Sequence, residues 1–217
     1  ATEYCDLILS QPKTPGGLYY LGSLSQWASN RYAANAASML VMFASILPES
    51  DSKRNSYIKF CKSQIDYMLG DNPKNINYVV GAEKNSPKAV HHRGASGSYD
   101  AGGKPSYNIY TLWGALAGGP GKDDSYSDTR SNYEMNEVAT DYNAGFTVDL
   151  AALLHFGYGT PDKGEILNFD RAWPMKAPTP DITIEFTKSA LNIATGSGLL
   201  CSGWCVSFKS DMMIEGF

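Results

Sequence analysis

Three apolar rows at helical spacing constrain this chain more than any other feature. They are Tyr32, Ala36, Leu40 and Phe43; Tyr57, Cys61, Ile65 and Met68; and Tyr142, Phe146, Leu150 and Leu154. Side chains three or four positions apart share one face of an α-helix, so each row needs a helix whose stripe is buried against another element. Three such stripes in 217 residues make the main body all-α. Breakers set the ends. Pro15-Gly16-Gly17 precedes the first helix, expected from about Ser25 to Ile46, and Gly70 with Asp71-Asn72-Pro73 closes the second, expected from about Asp51 to Leu69. Ser131 or Asn132 can cap the third, with Glu134 in its first turn and its end near Leu154. Lys53, Arg54, Lys59 and Lys62 fall largely off the second row and read as a solvated face. The opening ATEYCDLILSQ reads as the end of a helix entered in its middle, so the chain is expected to be part of a longer polypeptide.

Between the helices, Tyr78-Val79-Val80 reads as a short strand or extended leg. The Gly-, Ser- and Pro-rich residues 94–122 read as loop around the apolar piece Tyr110–Leu116. Residues 158–180 have linker composition, although Phe169 and Trp173 suggest that they lie against a surface. From Asp181 the pattern changes to alternation at Ile182, Ile184 and Phe186, with Val206 and Phe208 beginning a second strand. The organisation is therefore a helical region over 1–157, a linker over 158–180 and a β segment over 181–217.

Composition excludes several classes of function. A net charge of −4 offers no basic face for nucleic acid. No apolar run approaches the roughly 20 residues of a membrane span, and the start lacks the basic and apolar regions of a signal peptide. Cys61 reads as a small buried hydrophobe. Cys201 and Cys205 either pair across a turn or stay as thiols, and their spacing has no second ligand pair for zinc. His91 and His92 are adjacent and cannot readily converge on one ion. Asp123, Asp124 and Asp128 crowd one loop, but without the ligand order of a calcium hand they read as a solvated acidic loop. No cofactor is required, and a structural calcium is conceivable but has no ligand motif here. The aromatic content of 12% suits a surface that stacks on sugar rings, and equally an ordinary core.

The chemistry concentrates between Tyr126 and Phe146. Asp128 lies in the approach to the third helix and Glu137 near its start, so both carboxylates can face one cleft. A general acid must hold its proton near neutral pH, which a dry aromatic wall or a second carboxylate favours and a helix N-terminus opposes. The plainer alternative is that Glu134 and Glu137 are ordinary first-turn acids.

The order Tyr126-x-Asp128, four residues, Tyr133, three residues, Glu137-x-Ala139, three residues, Asn143-Ala144 resembles the active-site signature of the glycoside hydrolase family 9 cellulases. Two further segments resemble that family in the same order. One is KTPGGLYYLGSLSQWASNRYAANAA from Lys13, and the other is YVVGAEKNSPKAVHHRGAS, with His91 and Arg93 in its H-x-R site. The resemblance implies the C-terminal part of an (α/α) six-hairpin barrel, a secreted enzyme, and inverting hydrolysis of internal β-1,4-glucosidic bonds in cellulose or related β-glucans. By the same resemblance Glu137 is the proton donor. His91, Arg93 and Asp128 organise the substrate, with Asp128 orienting His91 or Arg93 and with His91 donating to sugar hydroxyls, while His92 is a spacer. Trp27, Arg31 and Tyr142 line the glucan cleft, and Asn143 and Ala144 are structural.

The family's base comes from an Asp-Ala-Gly-Asp type motif. Here Asp100-Ala101-Gly102 follows the H-x-R segment and continues with Gly103-Lys104, so Asp100 reads as a loop residue and the base-side carboxylates are missing from this chain. The expected partners are a β-glucan and the N-terminal part of the same enzyme. The alternative is a noncatalytic glucan-binding or structural protein that keeps the cleft. The β segment resembles the opening of a family 3 carbohydrate-binding module, though its 37 or so residues cannot close a sandwich; a C-terminal tail folded back on the helices is the other reading.

Overall fold

The computed structural model describes residues 1–82, 85–97 and 106–160, with the strand backbones 183–187 and 205–209. It forms two compact units, Ala1–Pro161 and Asp162–Phe217. The expectations for Asp100, Phe169, Trp173 and Cys201 lie outside the described residues, as does most of the linker.

In the first unit four longer helices carry the core. They are α1 (Thr2–Ser10), α2 (Ser29–Ile46), α3 (Ser52–Met68) and α6 (Thr140–His155); α4 (Arg93–Ser96) and α5 (Tyr133–Asn136) are single turns. The centre is α2, packed against both α3 and α6. It can serve two neighbours because its buried positions are mostly small: Ala33, Ala34, Ala36, Ala37 and Ala44 surround Leu40 and Val41. Close approach is carried furthest at Gly145 of α6. A Cβ there would lie 2.5 Å from Asn35 Oδ1 and 3.1 Å from the Ala34 carbonyl carbon. On α3, Asp51 caps the first turn by accepting from the Lys53 amide at 2.8 Å, and Gly70 leaves the last turn at φ 123°.

The structure corrects two helix boundaries. The helix expected from Ser25 is interrupted. A 3-10 turn covers Leu24–Gln26, Trp27 is extended, and Ala28 takes a left-handed conformation at φ 59° before α2 starts. That bend carries Trp27 off the helix surface. The helix expected from Ser131 or Asn132 to Leu154 is also two pieces. Asn132 does cap α5, but Glu137 lies beyond it in extended backbone (φ −60°, ψ 144°), and α6 begins only at Thr140. Glu137 is therefore not a first-turn helix acid.

The row Tyr142, Phe146, Leu150, Leu154 drifts off the core, because four residues turn a 3.6-residue helix by about 40° beyond one revolution. The face actually buried is Tyr142, Gly145, Phe146, Asp149 and Leu153, while Leu154 is exposed. Asp149 thus enters the core fully buried, and neither carboxylate oxygen has a nitrogen or oxygen partner. The Cys61 thiol on α3 is a weak donor to it. Burial outweighs that bond and pushes the Asp149 carboxyl up to about 8. Cys61 is buried and unoxidised, as expected of a small hydrophobe, but it also faces this carboxyl.

In the second unit, β1 (Thr183–Thr187) and β2 (Cys205–Lys209) pair antiparallel, with Ile184 opposite Phe208 and Phe186 opposite Val206. Among the described residues no helix is long and apolar enough to cross a membrane.

Candidate active site

The site is assembled on loops that meet the strip 133–137. Three successive carbonyls of that strip are each taken by a different loop. Ala28 N–H donates to Glu134 O (2.9 Å), Gly119 N–H to Met135 O (2.9 Å) and His91 N–H to Asn136 O (2.8 Å). The strip then continues as a parallel bridge between His91 and Glu137. Loop contacts of this kind are long-range and fix position without a helix or sheet. Gly118 is required by the closeness of the approach, since a Cβ there would lie 2.9 Å from both the Glu134 and Met135 carbonyl oxygens.

Glu137 is half-buried and accepts two hydrogen bonds on one oxygen. The Trp27 indole N–H donates to Oε2 at 2.7 Å, and the Tyr142 hydroxyl donates to the same atom. Burial, then the bond to Glu137, hold the Tyr142 phenol well above its ordinary range, so Tyr142 remains a donor. At 1% exposure it is buried behind Glu137, although the sequence reading puts it on the cleft wall. Arg31 lies over the Tyr142 ring at 5.1 Å and reaches Asp141 at 3.6 Å. The half-exposed rings of Trp27 and Tyr133 pack at 4.8 Å, and His91 meets Tyr133 edge to face at 5.9 Å. Trp27, His91, Glu137 and Tyr142 are thus brought together around Tyr133, with Arg31 behind them.

His91 Nδ1 lies 2.7 Å from the Arg130 carbonyl, which can only accept, so Nδ1 carries the proton. In the neutral ring Nε2 is then an acceptor. The sequence expectation of a donor is met only by the imidazolium. His92, read as a spacer, caps α4 through Nδ1, which accepts from the Ala95 amide at 3.0 Å. Arg93 is the first residue of α4 and is exposed.

Asp128 does not contact His91 or Arg93 through any bond in the structure. Its carboxylate accepts the Lys88 and Ala89 amides at 2.8 and 3.0 Å, holding the segment that leads into His91. The acidic loop is not simply solvated, which corrects the sequence expectation. Asp124 is buried, with φ 61°, and accepts from Gly16 N–H at 2.6 Å and from the Tyr67 hydroxyl. The amides of a Pro-Gly-Gly turn need acceptors, and that need was the signal available for Asp124 in the sequence. Asn143 is structural: it accepts from Leu116 N–H at 3.0 Å and donates to the Gly114 carbonyl at 2.8 Å. Among the described residues no three of His, Cys, Asp and Glu are arranged to hold a metal ion.

Residues 1–150 match the model of glycosyl hydrolase family 9. The chain is 50% identical over 148 residues to endoglucanase A of Bacillus pumilus, covering 67% of this chain and 22% of that protein. It is 45% identical over 152 residues to endoglucanase B of Cellulomonas fimi, covering 69% of this chain and 14% of that one. Endoglucanase CelQ of Clostridium thermocellum, solved with cellobiose and cellotriose, aligns at a TM-score of 0.64 and 38% identity over 85% of this chain and 29% of its own. The endoglucanase of the termite Nasutitermes takasagoensis aligns at 0.62 and 41% identity, over 72% of this chain and 36% of its own. The chain spans about a fifth of the length of the first of these relatives. Its helices are the C-terminal part of an (α/α) six-hairpin barrel, and the chain belongs to glycosyl hydrolase family 9.

Proposed function

We propose that this chain is the acid-bearing part of an endo-β-1,4-glucanase that cleaves cellulose or a related β-glucan with inversion. The observation that carries the reading is the placement of Glu137. It is a half-buried carboxyl fixed by two donors, beside an exposed aromatic wall and an oriented imidazole. The named relatives are endoglucanases, and CelQ was solved with cellobiose and cellotriose. In this reading Glu137 protonates the leaving glycosidic oxygen. Trp27 and Tyr133 offer ring faces to a pyranose, and His91 and Arg93 meet its hydroxyls. Asp128 acts at one remove, through the amides before His91.

An inverting enzyme also needs a base about 6.5–9.5 Å across the scissile bond to activate water. We assign that base to carboxylates outside these 217 residues, so the chain alone does not turn over and its partner is the remainder of the barrel. The enzyme is expected to act outside the cell, since the family resemblance implies a secreted enzyme. No cofactor is required by this chemistry.

The test is hydrolysis of cellotetraose by the native full polypeptide, with the anomer of the first product read by proton NMR. Glu137→Gln is expected to lower turnover about 10²–10⁴-fold, the usual worth of a general acid. An unchanged rate, or a retained anomer, overturns the mechanism. If the native protein binds cello-oligosaccharide without hydrolysing it, the noncatalytic glucan-binding reading replaces it.

A further inference from the structure

Glu137 presents its two oxygens to different surroundings. Oε2 accepts from both the Trp27 indole and the Tyr142 hydroxyl, whereas no protein donor reaches Oε1 among the described residues. An oxygen that already accepts two N–H or O–H protons has little room for a third. We propose that Oε1 carries the transferable proton and that Trp27 and Tyr142 are positioning residues that hold the charge left on Oε2 once the proton has gone. The proposal rests on the endoglucanase reading above.

The bond from the anomeric carbon to the glycosidic oxygen breaks, and its electron pair stays on that oxygen, which takes the proton from Oε1. The carboxylate that remains has both of its standing hydrogen bonds on Oε2. The water oxygen bonds to the anomeric carbon and gives its proton to the base carboxylate. Both donors are suited to the task because neither can compete for the proton: an indole N–H only donates, and the buried phenol of Tyr142 keeps its own proton. Trp27 thereby has a role besides its ring face. Its N–H acts on the acid, while its half-exposed ring remains available to a sugar.

A purely structural role for these two residues would slow every substrate alike. The proposed role slows only substrates whose leaving group needs protonation. The experiment compares cellotetraose with 2,4-dinitrophenyl β-cellobioside, whose phenolate leaves without an acid, in the native full polypeptide carrying Trp27→Phe, Tyr142→Phe or Glu137→Gln. For the first two variants kcat on cellotetraose is expected to fall about 10–10²-fold, the range for a hydrogen bond to a charged group, with KM little changed. On the activated substrate, which still feels any change in ring stacking at Trp27, the loss is expected to be at least about fivefold smaller than on cellotetraose. Equal losses on both substrates, or none on either, overturn the proposal. Because Tyr142 is buried and its variant can fail to fold, the half-exposed Trp27→Phe keeps the test alive. A further readout needs no turnover: the Trp27 indole N–H resonance is expected to move upfield in Glu137→Ala, and an unmoved resonance overturns the assignment. A Glu137→Gln protein as fast as wild type on cellotetraose overturns the endoglucanase reading itself, which separates that failure from failure of the present inference.

Discussion

Two carboxyl groups twelve positions apart show how differently one short stretch treats the same chemistry. Glu137 stands in extended backbone at the rim, half-buried, with two donors on one oxygen. Asp149 stands on α6 inside the core, fully buried, with only a thiol beside it. The rim carboxyl is held by loops whose amides pin the backbone around it. The core carboxyl is held by helix packing that was not built to solvate it. Burial without nitrogen or oxygen donors favours the protonated form of Asp149, whereas Glu137, the group proposed above to give up a proton, has two donors standing beside it.

The largest expected effect breaks the core half of that comparison. Asp149 has its carboxyl raised to about 8 in the folded chain, against an unfolded value near the ordinary 3.8. Between those limits the folded state holds a proton that the unfolded state releases. Stability is therefore greatest at low pH and falls as pH rises, by up to about 1.4 kcal/mol per pH unit from this group, levelling off above about 8. Denaturant midpoints from pH 5 to 9 are expected to follow that slope in the wild type and to lose most of it in Asp149→Asn; equal slopes in the two proteins would refute the account.

Gly118→Ala attacks the rim half instead. The added methyl presses on the Glu134 and Met135 carbonyls and displaces the strip that carries Glu137. A displacement on the order of 1 Å costs about 10²-fold in rate, so kcat/KM on cellotetraose is expected to fall by that much, with a loss of roughly 1–3 kcal/mol in chemical denaturation. Gly145→Ala is the matching change in the core. There the new Cβ meets the backbone of α2, and a loss of about 1–3 kcal/mol is expected in chemical denaturation. The smallest effect is expected for His92→Ala, which removes the cap of α4. It should cost about 1 kcal/mol or less of local stability, read as faster amide exchange at Ala95 and Ser96.

The sequence showed the helices that carry the core because their period is a local property. The α3 boundaries could be placed from Asp51 and Gly70, since a cap and a left-handed exit are each written in one residue. The site was legible as a set of residue types at fixed spacing, and four of them, Trp27, His91, Glu137 and Tyr142, do come together. What spacing could not show was how they meet. The breaks at Trp27–Ala28 and at Glu137–Ala139 interrupt otherwise good helical patterns, and their cause is distant: Ala28 and His91 bond to the strip from other loops.

The sequence by itself determined an all-α body, its breakers and the chemical inventory of the rim, because period, capping and residue type act over a few neighbouring positions. Only the tertiary structure decided that Tyr142 lies behind Glu137, that Asp128 bonds to backbone amides, that Asp124 anchors the Pro-Gly-Gly turn and that Asp149 is buried. Each of those outcomes depends on which segment, far away along the chain, supplies or fails to supply a hydrogen-bond partner. Desolvation and pairing are set by that assembly, and no local pattern encodes them.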